Sequence, residues 1–100
     1  MPALRIDERR TRHIFRDAEG HFREDTPVNR QALLEVASNP ANLVGTDRFG
    51  NSWFAETRAD GTQVWAQVRQ NVIVNGGLNR APQDFHVPSQ PAGPLSDKGQ

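Results

Sequence analysis

Two histidines and an arginine near the start of the chain are the residues best suited to proton and phosphate chemistry. His13 and His21 lie eight positions apart, with Arg16 between them. An imidazole, whose reference pKa is near ~6.5, can accept or donate a proton close to neutral pH. Cleavage of RNA without a metal needs a base for the ribose 2′-hydroxyl and an acid for the leaving oxygen, so this pair could supply both. The competing interpretation for each histidine is a surface or capping role.

Charge on the phosphorane of such a reaction would need a cation, and Arg16 or Arg69 could provide it. The eight-residue spacing of His13 and His21 matches no metal-binding motif, and the chain has no Cys, no HExxH, no P-loop and no GxGxxG. The sequence therefore predicts neither a metal site nor a cofactor. His86 lies in the proline-rich end of the chain, and we assign it no function.

A second candidate for binding chemistry is the polar face of a predicted β-sheet. An aromatic ring among amides and guanidinium groups can stack on a nucleobase and hydrogen-bond to it or to a phosphate. The competing interpretation is an ordinary solvated face on which Trp65 lies over arginine side chains. The residues predicted to bind substrate on this face are Phe54, Arg58, Gln63, Trp65 and Gln67, with Arg69 beside them.

The sheet is predicted from the stretch Ser52 to Asn75, in which apolar and polar residues alternate. Asp60-Gly61 predicts a two-residue hairpin turn of the primed type. That turn would pair Thr57 with Val64, Ala55 with Ala66 and Trp53 with Val68. The face expected to be covered then carries Trp53, Ala55, Val64, Ala66, Val68 and Ile73.

Four antiparallel strands in a meander follow from this pattern and its flanking turns. They are predicted over Leu43 to Asp47, Ser52 to Arg58, Thr62 to Arg69 and Val72 to Asn75. Gln70-Asn71 joins the last two strands, and Gly76-Gly77 is expected to close the sheet.

One main helix is predicted over Pro27 to Ser38. Thr26 is a suitable N-cap, proline fits the first helical position, and Asn39-Pro40 stops the helix. For Asp7 to Phe15, a short charged helix and a disordered arm closed by an Ile14-Phe15 anchor both remain open. The fold class is therefore α+β, with the main helix packed on a four-stranded antiparallel meander.

Length and composition indicate one small domain over residues 1–80, expected to be a monomer. The formal net charge is zero, and the basic residues are eleven Arg and one Lys. Residues 81–100 hold four of the seven prolines and few core-forming residues, which predicts a mostly disordered tail, with Phe85 and Val87 able to pin its start. Met1 to Arg16 is too charged for a signal peptide and no apolar run is long enough to cross a membrane, so we expect no membrane insertion and assign no compartment.

Several stretches of the chain resemble C-terminal toxin modules of contact-dependent inhibition and other polymorphic toxin proteins. These are HIFRDAEGH (His13 to His21), DTPVNRQALLEVA, GTDRFGNSWFA, DGTQVWAQVR and NGGLN, which together run from about Arg12 to Asn79. Such modules are similar to the ribonuclease superfamily grouped with barnase, EndoU, colicin D and RelE. The resemblance implies a helical N-terminal part on a four-stranded meander and metal-independent cleavage of RNA, often tRNA.

In that family the active-site residues vary, so a functional role is transferred only to positions of this sequence that match the family pattern. His13 and Arg16 stand in the HIFR string, and Thr57, Gln67 and Arg69 occupy strand positions where such enzymes place polar groups. The turn Gln70-Asn71 lacks the glycine that the resemblance leads us to expect. The family also implies RNA as a partner and a cognate immunity protein.

Two functions from different classes follow. The first is a small metal-independent endoribonuclease of bacterial toxin type, acting on RNA such as tRNA through histidine acid–base catalysis. The second is a non-enzymatic protein-interaction module, such as an accessory protein, an immunity-like protein or a degenerate toxin fragment.

Overall fold

The computed structural model describes residues 3–85, which form an α+β fold around one mixed sheet. The strands are β1 (Arg5–Ile6), β2 (Leu43–Thr46), β3 (Ser52–Thr57), β4 (Gln63–Arg69) and β5 (Val72–Asn79). Their order across the sheet is β1-β5-β4-β3-β2. Strands β2 to β5 form the predicted antiparallel meander. The fifth strand was not predicted: β1 adds to β5 in parallel and brings the start of the chain onto the sheet.

Two helices accompany the sheet. The main helix α2 covers Pro27–Ser38, as predicted, and the Thr26 hydroxyl accepts a hydrogen bond from the Asn29 N–H at 3.1 Å. The segment before it forms a 3₁₀ turn over Glu8–Arg10 and a short helix α1 over Thr11–Ile14. Ile14 is completely buried. Of the two interpretations left open for this segment, the structure therefore has the short helix, and Ile14 anchors it.

The core lies between α2 and one face of the sheet. Val64, Ala66 and Val68 alternate along β4 toward the core, and Ile73 joins them from β5, as predicted. From the helix the core receives Ala32, Leu33, Val36 and Ala37, and Ile6, Ile14, Phe15 and Phe22 complete it.

The predicted register of the hairpin between β3 and β4 was wrong by one residue. Thr57 pairs with Gln63, Ala55 with Trp65, and Trp53 with Gln67. The loop has three residues, because Arg58 N–H donates to the Thr62 carbonyl at 2.7 Å and Gly61 N–H donates to the Arg58 carbonyl at 2.9 Å. Gly61 adopts a φ of 89°, but Asp60 is not among the residues with positive φ. A primed two-residue turn requires a positive φ at its first loop residue, here Asp60, so the loop is instead a type I turn followed by a residue in the left-handed region.

This register moves Trp53 and Ala55 off the helix-covered face and brings Phe54 onto it. Phe54 pairs with Ala66 and packs against the core. Trp53 instead shares a face with Trp65, and the two indole rings stack at 5.9 Å with 15° between their planes. Both tryptophans therefore lie on the sheet face opposite the core.

The glycines Gly76 and Gly77 do not close the sheet, as had been predicted, because they lie inside β5 and are buried. A Cβ at Gly76 would stand 2.8 Å from a methyl group of Leu33 in α2. A Cβ at Gly77 would overlap the carbonyl oxygen of Gly20 on the other face. The absence of side chains at these two positions lets α2 approach β5 on one face and the Gly20 loop approach it on the other.

Candidate active site

The loop that ends in His21 covers the tryptophan-bearing face of the sheet. Gly20, at a φ of 84°, turns the chain so that its carbonyl accepts hydrogen bonds from the Leu78 N–H at 3.1 Å and from the Trp65 indole at 2.9 Å. The His21 ring then meets the Trp65 ring edge-on at 5.7 Å. The N-terminal segment is thus held against the face that carries Gln67 and Arg69.

The hydrogen-bond partners of His21 assign its tautomer. Its Nδ1 lies 2.9 Å from the Ile14 carbonyl oxygen, which can only accept, so Nδ1 carries the proton. Its Nε2 lies 3.2 Å from the Arg16 Nη2, which can only donate, so Nε2 accepts. His21 therefore ties its loop to α1 and orients Arg16.

His13 has a different environment. Its exposed ring lies 6.3 Å from that of His21. Partial burial lowers the pKa of His13, and the positive charge of Arg16 lowers it further. A histidine with a lowered pKa is unprotonated at neutral pH and is available to accept a proton.

Arg69 is held at the end of β4 by the loop between β2 and β3. Its Nε donates to Asn51 Oδ1 at 3.1 Å and its Nη2 donates to the Phe49 carbonyl at 2.6 Å. Asn51 is itself held by Asp47, whose Oδ2 accepts from the Asn51 amide at 3.1 Å. The guanidinium group is therefore anchored on one side.

Asp47 organises this loop. Its carboxylate accepts from the N–H groups of Phe49 and Asn51 at 2.9 and 3.0 Å, and from the Trp53 indole at 2.9 Å. Burial acts to raise the pKa of Asp47, but these hydrogen bonds to its charged form, led by that from Trp53, outweigh burial and lower the pKa to about 2. The carboxylate therefore stays ionised, and it links Trp53 to the residues that hold Arg69.

These elements enclose a pocket of about 190 Å³. It brings one histidine and two arginines together with three side-chain amides, so it offers a proton acceptor beside positive charge and hydrogen-bond donors. The lining residues are Arg10, His13, Asn51, Gln67, Arg69, Val74 and Asn75.

The residues predicted from sequence fall into three groups. His13, Gln67 and Arg69 share the pocket, although 56 positions separate His13 from Arg69. His21 and Arg16 stand beside it, engaged with each other. Phe54 and Arg58 lie elsewhere: Phe54 packs on the core, and Arg58 lines a groove along α2. Their predicted position on the face with Trp65 was wrong, because it depended on the shifted register.

Trp65 and Gln63 lie on the expected face, but neither is open to solvent. Trp65 is only 8% exposed, enclosed by Trp53, by the Gly20–His21 loop and by Phe85, whose ring lies 6.0 Å away. Gln63 is 7% exposed. Phe85 does pin the start of the C-terminal segment, as suggested, whereas Val87 and His86 lie outside the described residues.

The sequence pattern did not indicate Arg10, Asn51 and Asn75, which line the pocket, or the positioning role of Asp47. Asp47 was predicted only as the last residue of a strand. The spacing Asp47…Asn51…Trp53 was the available signal, because an aspartate that begins a turn commonly accepts hydrogen bonds from the residues that follow it.

Within residues 3–85 the structure contains no group of three or more potential metal ligands. None of the helices in that part of the chain is long and apolar enough to span a membrane. Comparison with known proteins gives no matching family model, no matching curated protein and no matching solved structure.

Proposed function

We propose that this protein is a small metal-independent endoribonuclease of toxin type. The observation that carries the proposal is the pocket that His13 lines together with Arg69 and Arg10. A histidine with a lowered pKa beside two cations suits a reaction that removes a proton and then builds negative charge on a phosphate.

In the proposed reaction, the neutral His13 imidazole takes the proton of a ribose 2′-hydroxyl. The 2′ oxygen attacks the neighbouring phosphorus, while Arg69 and Arg10 stabilise the negative charge of the phosphorane. The bond to the 5′ oxygen then breaks, leaving a 2′,3′-cyclic phosphate and a 5′-hydroxyl. Gln67, Asn51 and Asn75 supply amides that can hydrogen-bond to the phosphate and ribose.

The hydrogen bonds of His21 argue against the general-acid role suggested by the sequence. Its Nδ1 proton is donated to the Ile14 carbonyl and its Nε2 accepts from Arg16, so neither nitrogen has a proton to give to substrate. We therefore assign His21 to positioning, with water protonating the leaving 5′ oxygen. Arg16 adds positive charge near His13, in addition to the charges of Arg69 and Arg10.

The test is incubation of purified protein with total RNA in EDTA. We expect cleavage that EDTA does not stop, products with 2′,3′-cyclic phosphate ends, and loss of most activity in the His13→Ala and Arg69→Ala proteins. Arg23→Ala is the matched control, because Arg23 is an exposed arginine in the connecting loop, and among residues 3–85 its ion-pair partner is the exposed Asp17. Pure, folded protein that leaves total RNA and tRNA intact would exclude this function.

The alternative, a non-enzymatic interaction module, is favoured by one observation. Among the described residues, strand β2 lies at an edge of the sheet, and it carries Leu43 and Val44 at 50% and 43% exposure. Phe49, in the loop that follows β2, is 64% exposed. An open edge with apolar side chains suits the addition of a strand from another protein, such as a cognate immunity protein. A Val44→Lys protein that loses a co-expressed partner while keeping its fold would support this second function.

A further inference from the structure

The side chain of Gln63 binds both backbone polar groups of Gln83. Its Oε1 accepts from the Gln83 N–H at 2.9 Å, and its Nε2 donates to the Gln83 carbonyl at 3.2 Å. The Asn79 amide also donates to Oε1 at 2.9 Å, which fixes which end of the Gln63 amide is the oxygen. A buried, oriented amide thus meets one donor and one acceptor side by side.

An aromatic ring of the same segment completes the contact. Phe85 lies 5.8 Å from the Trp53 ring and 6.0 Å from the Trp65 ring, tilted by 42° and 44°. Gln63, Trp53 and Trp65 together form what we call the Gln63 site. The segment Gln83–Phe85 fills it with a donor, an acceptor and a flat ring.

These three features are also those of an unpaired nucleobase. Proteins recognise base edges with the paired donor and acceptor of a glutamine or asparagine amide, and they stack splayed-out bases on aromatic rings. We propose that the Gln63 site is a nucleobase subsite and that Gln83–Phe85 occupies it as an intramolecular competitor. The inference rests on the proposed function, since it names the part of the RNA that lies beside the cleavage pocket.

The position of the site fits a strand of RNA that also reaches the pocket. Gln63, Trp65, Gln67 and Arg69 alternate on the same face of β4, and Gln67 and Arg69 line the pocket. The four-residue step from Gln63 to Gln67 spans ~13 Å at the rise of a β-strand. A base in the Gln63 site would therefore belong to a nucleotide close to the cleaved bond.

The competing segment is held by few contacts. Ala81, Pro82, Gln83 and Asp84 are all exposed. In the described part of the chain, the hydrogen bonds and ring contacts that join Gln83–Phe85 to the sheet are those to the Gln63 amide and to the two tryptophan rings. When a ligand must displace such a segment, its apparent affinity is its intrinsic affinity multiplied by the fraction of molecules in which the site is open. Loosening the segment should therefore strengthen binding of RNA.

The test measures binding of a short single-stranded 2′-O-methyl RNA, which cannot be cleaved by attack of a 2′-hydroxyl. In the full chain, Phe85→Ala removes the ring and Gln83→Pro removes the N–H that Gln63 binds. Both variants should bind the oligonucleotide at least about threefold more tightly than the unaltered protein, and the oligonucleotide should quench tryptophan fluorescence. Asp84→Ala is the matched control, since Asp84 is exposed between these two residues, and it should bind like the unaltered protein.

Adding Gln63→Leu to the Phe85→Ala protein should remove the gain, because leucine keeps the size of the side chain but not its amide. Unchanged or weaker binding by both the Phe85→Ala and Gln83→Pro proteins would overturn the proposal. The proposal would also be overturned if the Gln63 site of the Phe85→Ala protein bound an added peptide with the Gln83–Phe85 sequence but did not bind the oligonucleotide. If the variants bind the oligonucleotide more tightly but the protein does not cleave ordinary RNA, only the proposed nuclease function is contradicted. If the protein cleaves RNA but neither Phe85→Ala nor Gln83→Pro changes binding, only the base subsite is contradicted.

Discussion

At the scale of single residues, His13 carries the chemical prediction. Because burial and the charge of Arg16 lower the pKa of His13, this residue should become able to accept a proton at a lower pH than an ordinary histidine. Cleavage of RNA by the full-length protein should rise with pH through a pKa below the reference value of 6.5 and then stay level.

In the Arg16→Gln protein one lowering charge is absent, so this rise should move toward higher pH. The measurement is kcat/KM for a defined oligonucleotide at a series of pH values. A rise centred above pH 6.5 in the unaltered protein would show that His13 is not the base. The His13→Ala protein should show no rise in this range.

The second residue-scale prediction concerns Asp47 and stability. Its pKa is about 2 in the folded protein against 3.8 for an ordinary aspartate, so the folded state favours the ionised form. The stabilisation is fully present above pH 3.8 and is lost as pH falls from 3.8 towards 2. At neutral pH the Asp47→Asn protein should melt several degrees below the unaltered protein, because asparagine offers one acceptor oxygen where the carboxylate uses two.

Melting curves of both proteins from pH 7 to pH 2 test this. The difference in Tm should shrink through that acid window as the unaltered carboxylate becomes protonated. A difference that stays constant down to pH 2 would show that the charge of Asp47 has no part in it. When both proteins also carry Arg69→Ala, most of this difference in Tm at neutral pH should remain, because Asp47 binds the loop and Trp53 directly.

At the scale of elements, the turn between β4 and β5 lacks the glycine that the resemblance to toxin modules led us to expect. Gln70 and Asn71 both have positive φ, 52° and 65°, as a two-residue turn of type I′ requires. Asparagine tolerates this region, whereas the left-handed conformation costs glutamine roughly 1 kcal/mol. Gln70→Gly should therefore raise the free energy of unfolding by about 0.5–1 kcal/mol.

Urea denaturation of the Gln70→Gly and Asn71→Gly proteins measures this effect, and Asn71→Gly should gain less. A loss of stability in the Gln70→Gly protein would mean that the glutamine side chain makes a contact worth more than the backbone strain.

The second element-scale prediction concerns Gly77 in β5. A methyl group there would collide with the Gly20 carbonyl, which holds both Leu78 and the Trp65 indole. The Gly77→Ala protein should lose stability and show altered tryptophan fluorescence, because the loop carrying His21 has to move. Gly50→Ala is the control: its positive φ of 85° gives strain, but no atom lies within 4 Å of the added methyl group. A Gly77→Ala protein as stable as the unaltered protein would mean that the loop accommodates the methyl group without cost.

At the scale of the whole molecule, a single small core holds the helix, the sheet and the pocket together. Leu33 is completely buried between α2 and β5, against Gly76. Leu33→Ala should lower the free energy of unfolding by about 2–5 kcal/mol, a large part of the roughly 5–15 kcal/mol typical of a domain. Leu34→Ala, at a partly buried position of the same helix, should cost less.

Urea denaturation of these two core variants provides the measurement. RNA cleavage by the Leu33→Ala protein should fall at 37 °C in proportion to the fraction unfolded. Loss of activity in a protein that remains fully folded would instead place Leu33 in the mechanism.

The sequence alone determined the elements whose signals are local. Thr26, Pro27 and Asn39-Pro40 act on neighbouring backbone groups, so the bounds of α2 could be predicted to the residue. The alternation along β4 identified Val64, Ala66 and Val68 as core residues for the same reason. His13, Gln67 and Arg69 could be named as site candidates because their side-chain chemistry is intrinsic.

Only the tertiary structure decided the register, the fifth strand and the contents of the pocket. Asp60-Gly61 is compatible with two loop lengths; in the observed three-residue loop, Asp60 accepts hydrogen bonds from both the N–H and the hydroxyl of Thr62 at 2.9 and 2.5 Å, and Gly61 takes the left-handed position. That one-residue difference turned Phe54 into the core and placed Trp53 beside Trp65. The meeting of His13 with Arg69 depends on the pairing of β1 with β5 and on the Gly20 contact, which join residues far apart in the chain. Local signals reach only a few residues, so contacts of this kind become visible only when the chain is folded.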